Sequence, residues 1–283
     1  MPTFDDKRLK RPDGDAIACQ VTAGVAAVRQ APEPDARLET QALHGEVVDV
    51  FREEGEFGYV QCRRDRYCGW VLMEALSAPI LPATHKIISP RTHCYSEPDL
   101  KSAPHFLLSL GARLSVSGQE GDWLYSDRGG WVHQRHVQPI NTFANDPVSV
   151  AERFLGAPYL WGGRESLGID CTGLTQQAFE AVGVMLPRDS DMQYDWSGTD
   201  IPDWRAPNAL RRGDLFFWKG HVGIMTDSEH LLHANAWHMA VAVEPFESAV
   251  TRIANYYAEP IGARRIDISL DRGVTPDWLS ENA

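Results

Sequence analysis

Short runs of alternating apolar and polar residues, separated by glycine, aspartate and proline turns, fill the first half of the chain. Strands that bury every second side chain show this pattern, which is typical of small β-barrels. After about residue 145 the order changes, and helix-type patterns precede apolar β-type runs at 214–218, 221–225 and 230–234. The second half is therefore predicted to be an α+β domain.

The β-rich half contains a weak internal repeat. Residues 45–50 (GEVVDV) resemble residues 111–116 (GARLSV). Each block is followed by an acidic turn with an aromatic residue, EGEF or EGDW, and then by the tripeptide GWV. Two copies of one small β-unit explain the repeat, and we predict them over 17–80 and 84–140.

The stretch 141–147 (NTFANDP) predicts a linker, because polar turn formers and a proline interrupt the periodicity there. A helical pattern follows from Val148 to Leu155. A third domain is therefore predicted over 145–267. The tail after Asp267 carries no interpretable pattern.

Composition narrows the choice of partners. The 283 residues suffice for two or three domains, and 27 Lys and Arg against 39 Asp and Glu give a formal charge of −12. No basic run is present that would follow a phosphate backbone. We therefore expect neither nucleic acid nor an anionic membrane surface as a partner.

The N-terminal residues MPTFDDKRLKRPDGD contain no apolar core of a secretory signal, and no later segment approaches the roughly 20 apolar residues of a spanning helix. The five cysteines are odd in number and irregularly spaced, which favours reduced thiols. These observations predict a cytoplasmic protein.

Metal or cofactor chemistry is not expected from the spacing of histidine and cysteine. Cys62 and Cys68 do not form a Cys-x-x-Cys clamp, and the pair His133 and His136 has no nearby cysteine.

The segment GIDCTGL at 168–174 is the strongest chemical signal in the chain. Apolar residues at helical intervals follow it, so Asp170 is placed to cap a helix whose first turn contains Cys171. A free cysteine is only about 3% thiolate at neutral pH, and a helix N-terminus and a nearby imidazolium both stabilise the anion. Cys171 is therefore a candidate nucleophile.

Two histidines lie on neighbouring strands of the predicted β-meander. If 226–228 form a three-residue turn, His221 lies directly opposite His233 and both side chains share one face. One imidazole can then abstract the thiol proton while the second fixes its tautomer and orientation. We predict that His221 is the base and that His233 orients it.

Six motifs in order resemble the NlpC/P60 peptidases over about residues 145–265. They are YLWGG from Tyr159, DCTGL from Asp170, LPRDS ending at Ser190, RGDL from Arg212, HVGI from His221 and HA from His233. The resemblance implies a papain-like α+β domain that cuts between γ-D-glutamate and a diamino acid in peptidoglycan peptides. The β-repeats resemble bacterial SH3-like domains, so the predicted architecture is a papain-like cysteine peptidase domain preceded by two small SH3-like β-barrels.

Carried over motif by motif, the resemblance implies that Cys171 is the nucleophile, His221 the base and His233 the polar orienting residue. The substrate site would include Tyr159, Asp170 and Ser190. Asp170 would pair with the free amine of a peptide that begins with L-Ala, and this fits a role in muropeptide recycling.

Three further expectations concern the substrate site. Thr172 stands where the family motif frequently has serine, which keeps a hydroxyl beside the nucleophile. Tyr67 resembles a tyrosine that reaches the cleft from the first repeat of such relatives. The backbone amide of Cys171 is a natural oxyanion donor, with Tyr159 as a candidate second donor.

Two alternative functions stay open from the sequence. The same scaffold and triad also suit an amidase or acyltransferase, since fold does not define the acyl donor. A non-catalytic protein that binds cell-wall peptides is the second alternative, although the intact set of Cys171, His221 and His233 argues against it. Export by a route without a visible signal would return wall cleavage to consideration.

Overall fold

The computed structural model describes residues 4–280, which divide into two compact units. One unit is β-rich and consists of residues 5–142 together with 161–166. The other contains residue 4, residues 143–160 and the chain from 167 onward. Within the described range, no helix is both long enough and apolar enough to cross a membrane.

The β-rich unit begins with a seven-stranded antiparallel sheet in the order β3-β2-β6-β5-β4-β1-β7. Alternate residues of these strands, mostly valines, form its buried core. A 3-10 helix at Met73–Ala75 precedes the last strand. The strands are β1 Ile17–Val21, β2 Val25–Arg29, β3 Leu38–Leu43, β4 Val47–Glu54, β5 Phe57–Cys62, β6 Cys68–Leu72 and β7 Leu76–Ser77.

Eight strands over 85–139 form a second β-subdomain with its own apolar core, after the first β-subdomain formed by β1–β7. Five of them pair in the order β10-β9-β14-β13-β12 and three in the order β11-β8-β15. A 3-10 helix at Gln134–His136 precedes the last strand. The strands are β8 His85–Ile87, β9 Arg91–Tyr95, β10 Pro104–Ser109, β11 Arg113–Leu114, β12 Val116–Glu120, β13 Trp123–Ser126, β14 Gly130–His133 and β15 Val137–Pro139.

The two acidic turns of the sequence repeat occupy equivalent hairpins. Glu54 pairs with Phe57 and Glu120 pairs with Trp123, so each hairpin loop has two residues. Each loop begins with a glycine at positive φ, 58° at Gly55 and 54° at Gly121, which tight hairpin turns require. The repeat in the sequence is thus a repeat of turn chemistry.

A buried ion pair ties the short strand β16 (Arg164–Glu165) into the β-rich unit. The Arg164 guanidinium donates to both carboxylate oxygens of Glu46 at 3.0 Å and to the Gln41 carbonyl at 2.7 Å. Both charged side chains are almost fully buried. Such bidentate pairing compensates charges that would otherwise be costly to bury.

The second unit is α+β, with helices before the main sheet as predicted. Its six-stranded sheet has the order β18-β23-β19-β20-β21-β22, helix α2 packs on β20 and β21, and α4 packs on β21 and β22. The helices are α1 Pro147–Glu152, α2 Cys171–Ala181, α3 Ser190–Trp196, α4 Phe246–Tyr256 and α5 Ile268–Asp271. The strands are β17 Gly168–Ile169, β18 Thr199–Asp200, β19 Leu215–Trp218, β20 His221–Met225, β21 His230–Asn235, β22 Ala240–Pro245 and β23 Pro260–Arg265. A 3-10 helix covers Asp277–Leu279.

The predicted register of the histidine hairpin is wrong, because the turn lies one residue later in the chain than the predicted turn at 226–228. Ile224 pairs with Leu232, Met225 pairs with Leu231 and the Thr226 amide bonds to the His230 carbonyl, so the turn is 227–229. The carboxylate of Asp227 accepts the amides of Glu229 and His230, which stabilises this turn. His221 and His233 are therefore diagonal neighbours across the two strands and are not directly opposite each other.

Candidate active site

Cys171 is the first residue of α2, and Asp170 is its N-cap. The carboxylate of Asp170 accepts the Gly173 amide at 2.7 Å, as the sequence predicted. The Cys171 side chain is buried, and backbone amides of Val222 and Thr172 donate hydrogen bonds to it. The contact with Val222 places the thiol beside the first residues of β20, where His221 lies.

Asp170 forms a buried ion pair that sequence reasoning missed. Arg188 donates to its two carboxylate oxygens at 3.0 and 2.6 Å, and both side chains are nearly inaccessible. Arg188 also contacts the Thr172 hydroxyl, which donates to Asp170 at 3.1 Å. The charge predicted to meet a peptide amine is thus already compensated within the protein.

The two histidines contact each other despite the corrected register. His221 Nε2 lies 2.8 Å from His233 Nδ1, a distance that the diagonal pairing of adjacent strands allows for long side chains. His233 is almost fully buried, and its Nε2 lies 2.7 Å from Oε1 of Glu244. Arg252, from α4, donates to the same oxygen. The structure therefore extends the predicted pair by a carboxylate and a guanidinium.

Burial controls the charge state of the thiol and the imidazole. Desolvation, with a smaller effect from the Asp170 charge, raises the pKa of Cys171 to about 12, against the two amides that donate to its sulfur. Desolvation, His233 and the Arg252 charge lower the pKa of His221 well below its usual range. Both directions favour a neutral thiol and a neutral imidazole.

The remaining predicted site residues lie in different places. Tyr159 is half-buried, and desolvation, more than any nearby charge, raises the pKa of its phenol. Ser190 is buried at the start of α3, two residues after Arg188. Tyr67 is buried in the β-rich unit, where its amide donates to Asp65. The functional roles of these residues stay predictions.

One group of side chains within residues 4–280 has the spacing of metal ligands. The ligand atoms of His233, His238 and Glu244 lie within 4.8 Å of one another. Hydrogen bonds already join His233 to Glu244, and the Arg252 cation contacts the Glu244 carboxylate. We interpret the group as a hydrogen-bond network, because a metal cation would compete with Arg252 and with the His233 proton.

A helix N-terminal cysteine beside a strand-borne pair of histidines, in an α+β unit, has the layout of a cysteine peptidase. Residues 156–255 match the family model of NlpC/P60, and residues 28–76 match that of the bacterial dipeptidyl-peptidase SH3 domain. The family model for the SH3 domain matches the first β-subdomain.

Relatives that are similar over more than two thirds of their length agree. The gamma-D-glutamyl-L-lysine dipeptidyl-peptidase of Bacillus subtilis (strain 168) is 30% identical over 224 residues, which cover 70% of this chain and 72% of the relative. Dipeptidyl-peptidase 6 of Lysinibacillus sphaericus is 26% identical over 239 residues, covering 76% of this chain and 86% of the relative. The chain is therefore a cysteine peptidase by class, and it belongs to the NlpC/P60 family.

A solved structure supports the same fold. The crystal structure of an NlpC/P60 family protein from Bacillus cereus matches with a TM-score of 0.74 at 22% identity. The match covers 88% of this chain and 99% of that one.

Proposed function

We propose that the protein hydrolyses the γ-D-glutamyl–diamino acid bond of peptidoglycan-derived peptides. The observation that carries the proposal is that the Cys171 thiol, at the start of α2, accepts the amide of Val222, the residue after His221, which in turn contacts His233, all within a family-matched domain. The relative from Bacillus subtilis is named a gamma-D-glutamyl-L-lysine dipeptidyl-peptidase, which supports this substrate class.

In the proposed reaction, His221 accepts the thiol proton as the Cys171 sulfur attacks the γ-carbonyl carbon of D-glutamate. The tetrahedral intermediate collapses when the C–N bond breaks, and the diamino acid leaves with the proton from His221. Water, deprotonated by the same imidazole, then hydrolyses the thioester and releases the N-terminal dipeptide. No cofactor is required for these steps.

The N-terminus of α2 supplies the electrostatic part of catalysis. Helix N-termini carry amides without intrahelical acceptors, and the Cys171 amide is one of these. An oxyanion donor of this kind is typically worth about 3–4 kcal/mol of transition-state stabilisation. We propose the Cys171 amide as the first donor and the Tyr159 hydroxyl as the second.

We propose further that the substrate is a short peptide with a free N-terminal L-Ala, held by Tyr159, Asp170, Thr172 and Ser190. Because Arg188 already compensates Asp170, an ammonium group would bind beside this ion pair without displacing Arg188. Selection for a free amine limits the enzyme to released peptides, which fits muropeptide recycling in the cytoplasm. Five cysteines without disulfide bonds are consistent with a reducing compartment.

For the domains, we propose SH3-like modules at 17–80 and 84–140 and a peptidase domain at 145–267. Strand order supports the second module. The first module has the strand order β3-β2-β6-β5-β4-β1-β7. The second has the orders β10-β9-β14-β13-β12 and β11-β8-β15, which match the first strand by strand if β12 and β11 together correspond to β4. The 3-10 helices before β7 and β15 also correspond.

The test uses purified protein with L-Ala-γ-D-Glu-L-Lys, the matching diaminopimelate tripeptide and an N-acylated form of each. Mass spectrometry follows the dipeptide L-Ala-γ-D-Glu. We expect cleavage of free-amine tripeptides, loss of all cleavage in Cys171→Ala, and resistance of the acylated forms.

Cleavage of acylated and free peptides at equal rates would contradict the free-amine selection alone. An absence of cleavage of every tripeptide by correctly folded protein would contradict the proposed activity and favour an amidase, an acyltransferase or a binding protein. Cell fractionation with immunoblotting tests the location separately, and recovery outside the cytoplasm would contradict recycling.

A further inference from the structure

The hydrogen-bond network that begins at His221 extends beyond the orienting histidine, His233. Glu244 on β22 contacts His233 Nε2 at 2.7 Å, and Arg252 on α4 ion-pairs with the same carboxylate oxygen. The side chain of Glu244 is 12% exposed and that of Arg252 is 18% exposed. Two elements thus bring opposite charges to the far side of His233.

The chemistry of the carboxylate determines which ring nitrogens carry protons. Burial alone would raise the pKa of Glu244, but the hydrogen bond with His233 and the charge of Arg252 lower it, so this carboxylate is ionised and only accepts. Burial lowers the pKa of His233, which makes its ring neutral. His233 must then hold its single proton on Nε2, facing Glu244, and its Nδ1 is an acceptor.

The tautomer of His233 determines that of the catalytic base, His221. Because His233 Nδ1 accepts, His221 must donate from Nε2 across their 2.8 Å contact. The lone pair of neutral His221 then lies on Nδ1, the nitrogen left for the thiol. The opposite tautomer of His233 would place the proton of His221 on Nδ1 and leave it unable to act as base.

We propose that Glu244, held by Arg252, is a positioning residue that sets the tautomers of His233 and His221 and favours the imidazolium formed on His221 during thiol attack. This inference rests on the proposed peptidase reaction and assigns two residues that the predicted triad did not contain. Glu244 acts through His233 and does not itself contact substrate.

His238 and Arg252 face both His233 and Glu244, and Arg252 also faces His221. Arg252 is further held over the Trp237 ring, 5.1 Å from its centroid. Loss of the Glu244 charge would leave the Arg252 cation uncompensated. It would therefore lower the pKa of His221 further and make its imidazolium harder to form.

Two substitutions separate the orientation supplied by Glu244 from its charge. In Glu244→Gln a carbonyl oxygen can still accept from His233 and Arg252, since both use Oε1, but the charge is lost. Glu244→Met removes both. We expect kcat to fall about 10- to 100-fold in Glu244→Met, by analogy with the outer-shell partners of metal-ligating histidines, with KM changed less than about twofold. Glu244→Gln should lose less.

The pH profile gives a readout that a purely structural role would not change. His221 is active as the neutral base, so a lower pKa of His221 moves the acid limb of kcat/KM to lower pH in Glu244→Gln. Removal of the uncompensated cation in the double variant Glu244→Gln with Arg252→Gln should return the acid limb towards its wild-type position.

A matched control is available in the β20–β21 hairpin, which contains the two histidines. Asp227 pairs with His230 at 3.0 Å on the exposed turn, and Asp227→Asn removes a carboxylate–histidine pair outside the network while keeping the turn acceptor. This variant should retain wild-type kcat and acid limb.

Wild-type kcat and acid limb in Glu244→Met would overturn the proposal. So would a loss of activity in proportion to a lowered Tm, with the acid limb unchanged, because Glu244 would then be only structural.

Nitrogen-15 NMR of histidine-labelled protein tests the tautomers without substrate. We expect His233 protonated on Nε2 in the wild type and the same tautomer in Glu244→Gln, but not in Glu244→Met. Protonation of wild-type His233 on Nδ1 would overturn this inference whether or not the tripeptides are cleaved. A correct tautomer with no peptide cleavage would contradict only the proposed function.

Discussion

At the scale of single residues, a buried ion pair holds Asp170, the residue before the proposed nucleophile Cys171. Asp170 caps α2 through the Gly173 amide and is neutralised by Arg188 at 2.6 Å. An N-cap carboxylate alone would be costly to bury, because desolvation disfavours an isolated charge. Arg188 therefore makes it possible to hold a charged cap in the interior beside Cys171.

Replacement of Arg188 by Met should leave the Asp170 charge buried without compensation. We expect a loss of about 3–5 kcal/mol in the free energy of unfolding, the usual cost of breaking a buried pair from one side. Urea unfolding measures it. Arg212→Ala is the control, because Arg212 pairs with Asp146 and Glu152 at about 40% exposure and should cost about 1 kcal/mol or less. Equal losses in the two variants would contradict the argument.

The thiol of Cys171 should also show its environment in alkylation rates. A thiol with a pKa raised to about 12 gains thiolate about tenfold per pH unit, so its reaction with iodoacetamide should rise steadily from pH 6 to 9. A free thiol would level off above about pH 8.5. Cys171→Ala supplies the background from Cys68, which is the least buried of the other cysteines. A plateau already at acidic pH would show a preformed thiolate–imidazolium pair and contradict this prediction.

At the scale of elements, the approach of β20 to β21 brings the two histidines together. Continuing the observed register places Gly223 opposite His233, so His221 reaches His233 past a residue without a side chain. A Cβ on Gly223 would lie 2.7 Å from Cδ1 and 2.9 Å from Cγ of Leu231. The glycine therefore allows close packing of these strands.

Gly223→Ala should force Leu231 or the strand to move. We expect a loss of about 1–3 kcal/mol in stability, as for overpacked cores, together with a lower kcat because His221 shifts relative to His233. Thermal unfolding and tripeptide kinetics measure the two effects. Gly118→Ala in β12 is a matched control, since its added Cβ meets only the Tyr125 Cβ at 3.5 Å. A fully stable and active Gly223→Ala would show that the hairpin has spare room.

At the scale of the whole molecule, the chain combines a β-rich unit and an α+β unit, each with its own buried core. The strand order of the first β-subdomain recurs in the second, including equivalent two-residue turns at Gly55 and Gly121. The sequence predicted this repeat from its turns, because turn residues are dictated locally by backbone conformation. It could not indicate the break between β11 and β12, which depends on pairing partners.

The candidate site was predictable where local rules apply. The cap at Asp170, the start of α2 at Cys171 and the strand at His221 follow from spacing and propensity within a few residues. The hairpin register was wrong by one turn residue because Asp227 caps the turn amides at 227–229. The contact of the two histidines was still found, since diagonal neighbours remain within reach.

The sequence by itself determined the order of elements, the repeated β-units and the choice of Cys171, His221 and His233 as candidate catalytic residues, because local patterns and motifs carry these features. Only the tertiary structure decided which groups control their charge. Arg188 is far from Asp170 along the chain, and Glu244 and Arg252 meet His233 through strand pairing and the packing of α4. Such partners are brought together only by the tertiary fold, because a buried charge is costly unless an opposite charge lies beside it. No local sequence pattern specifies which residue supplies that charge.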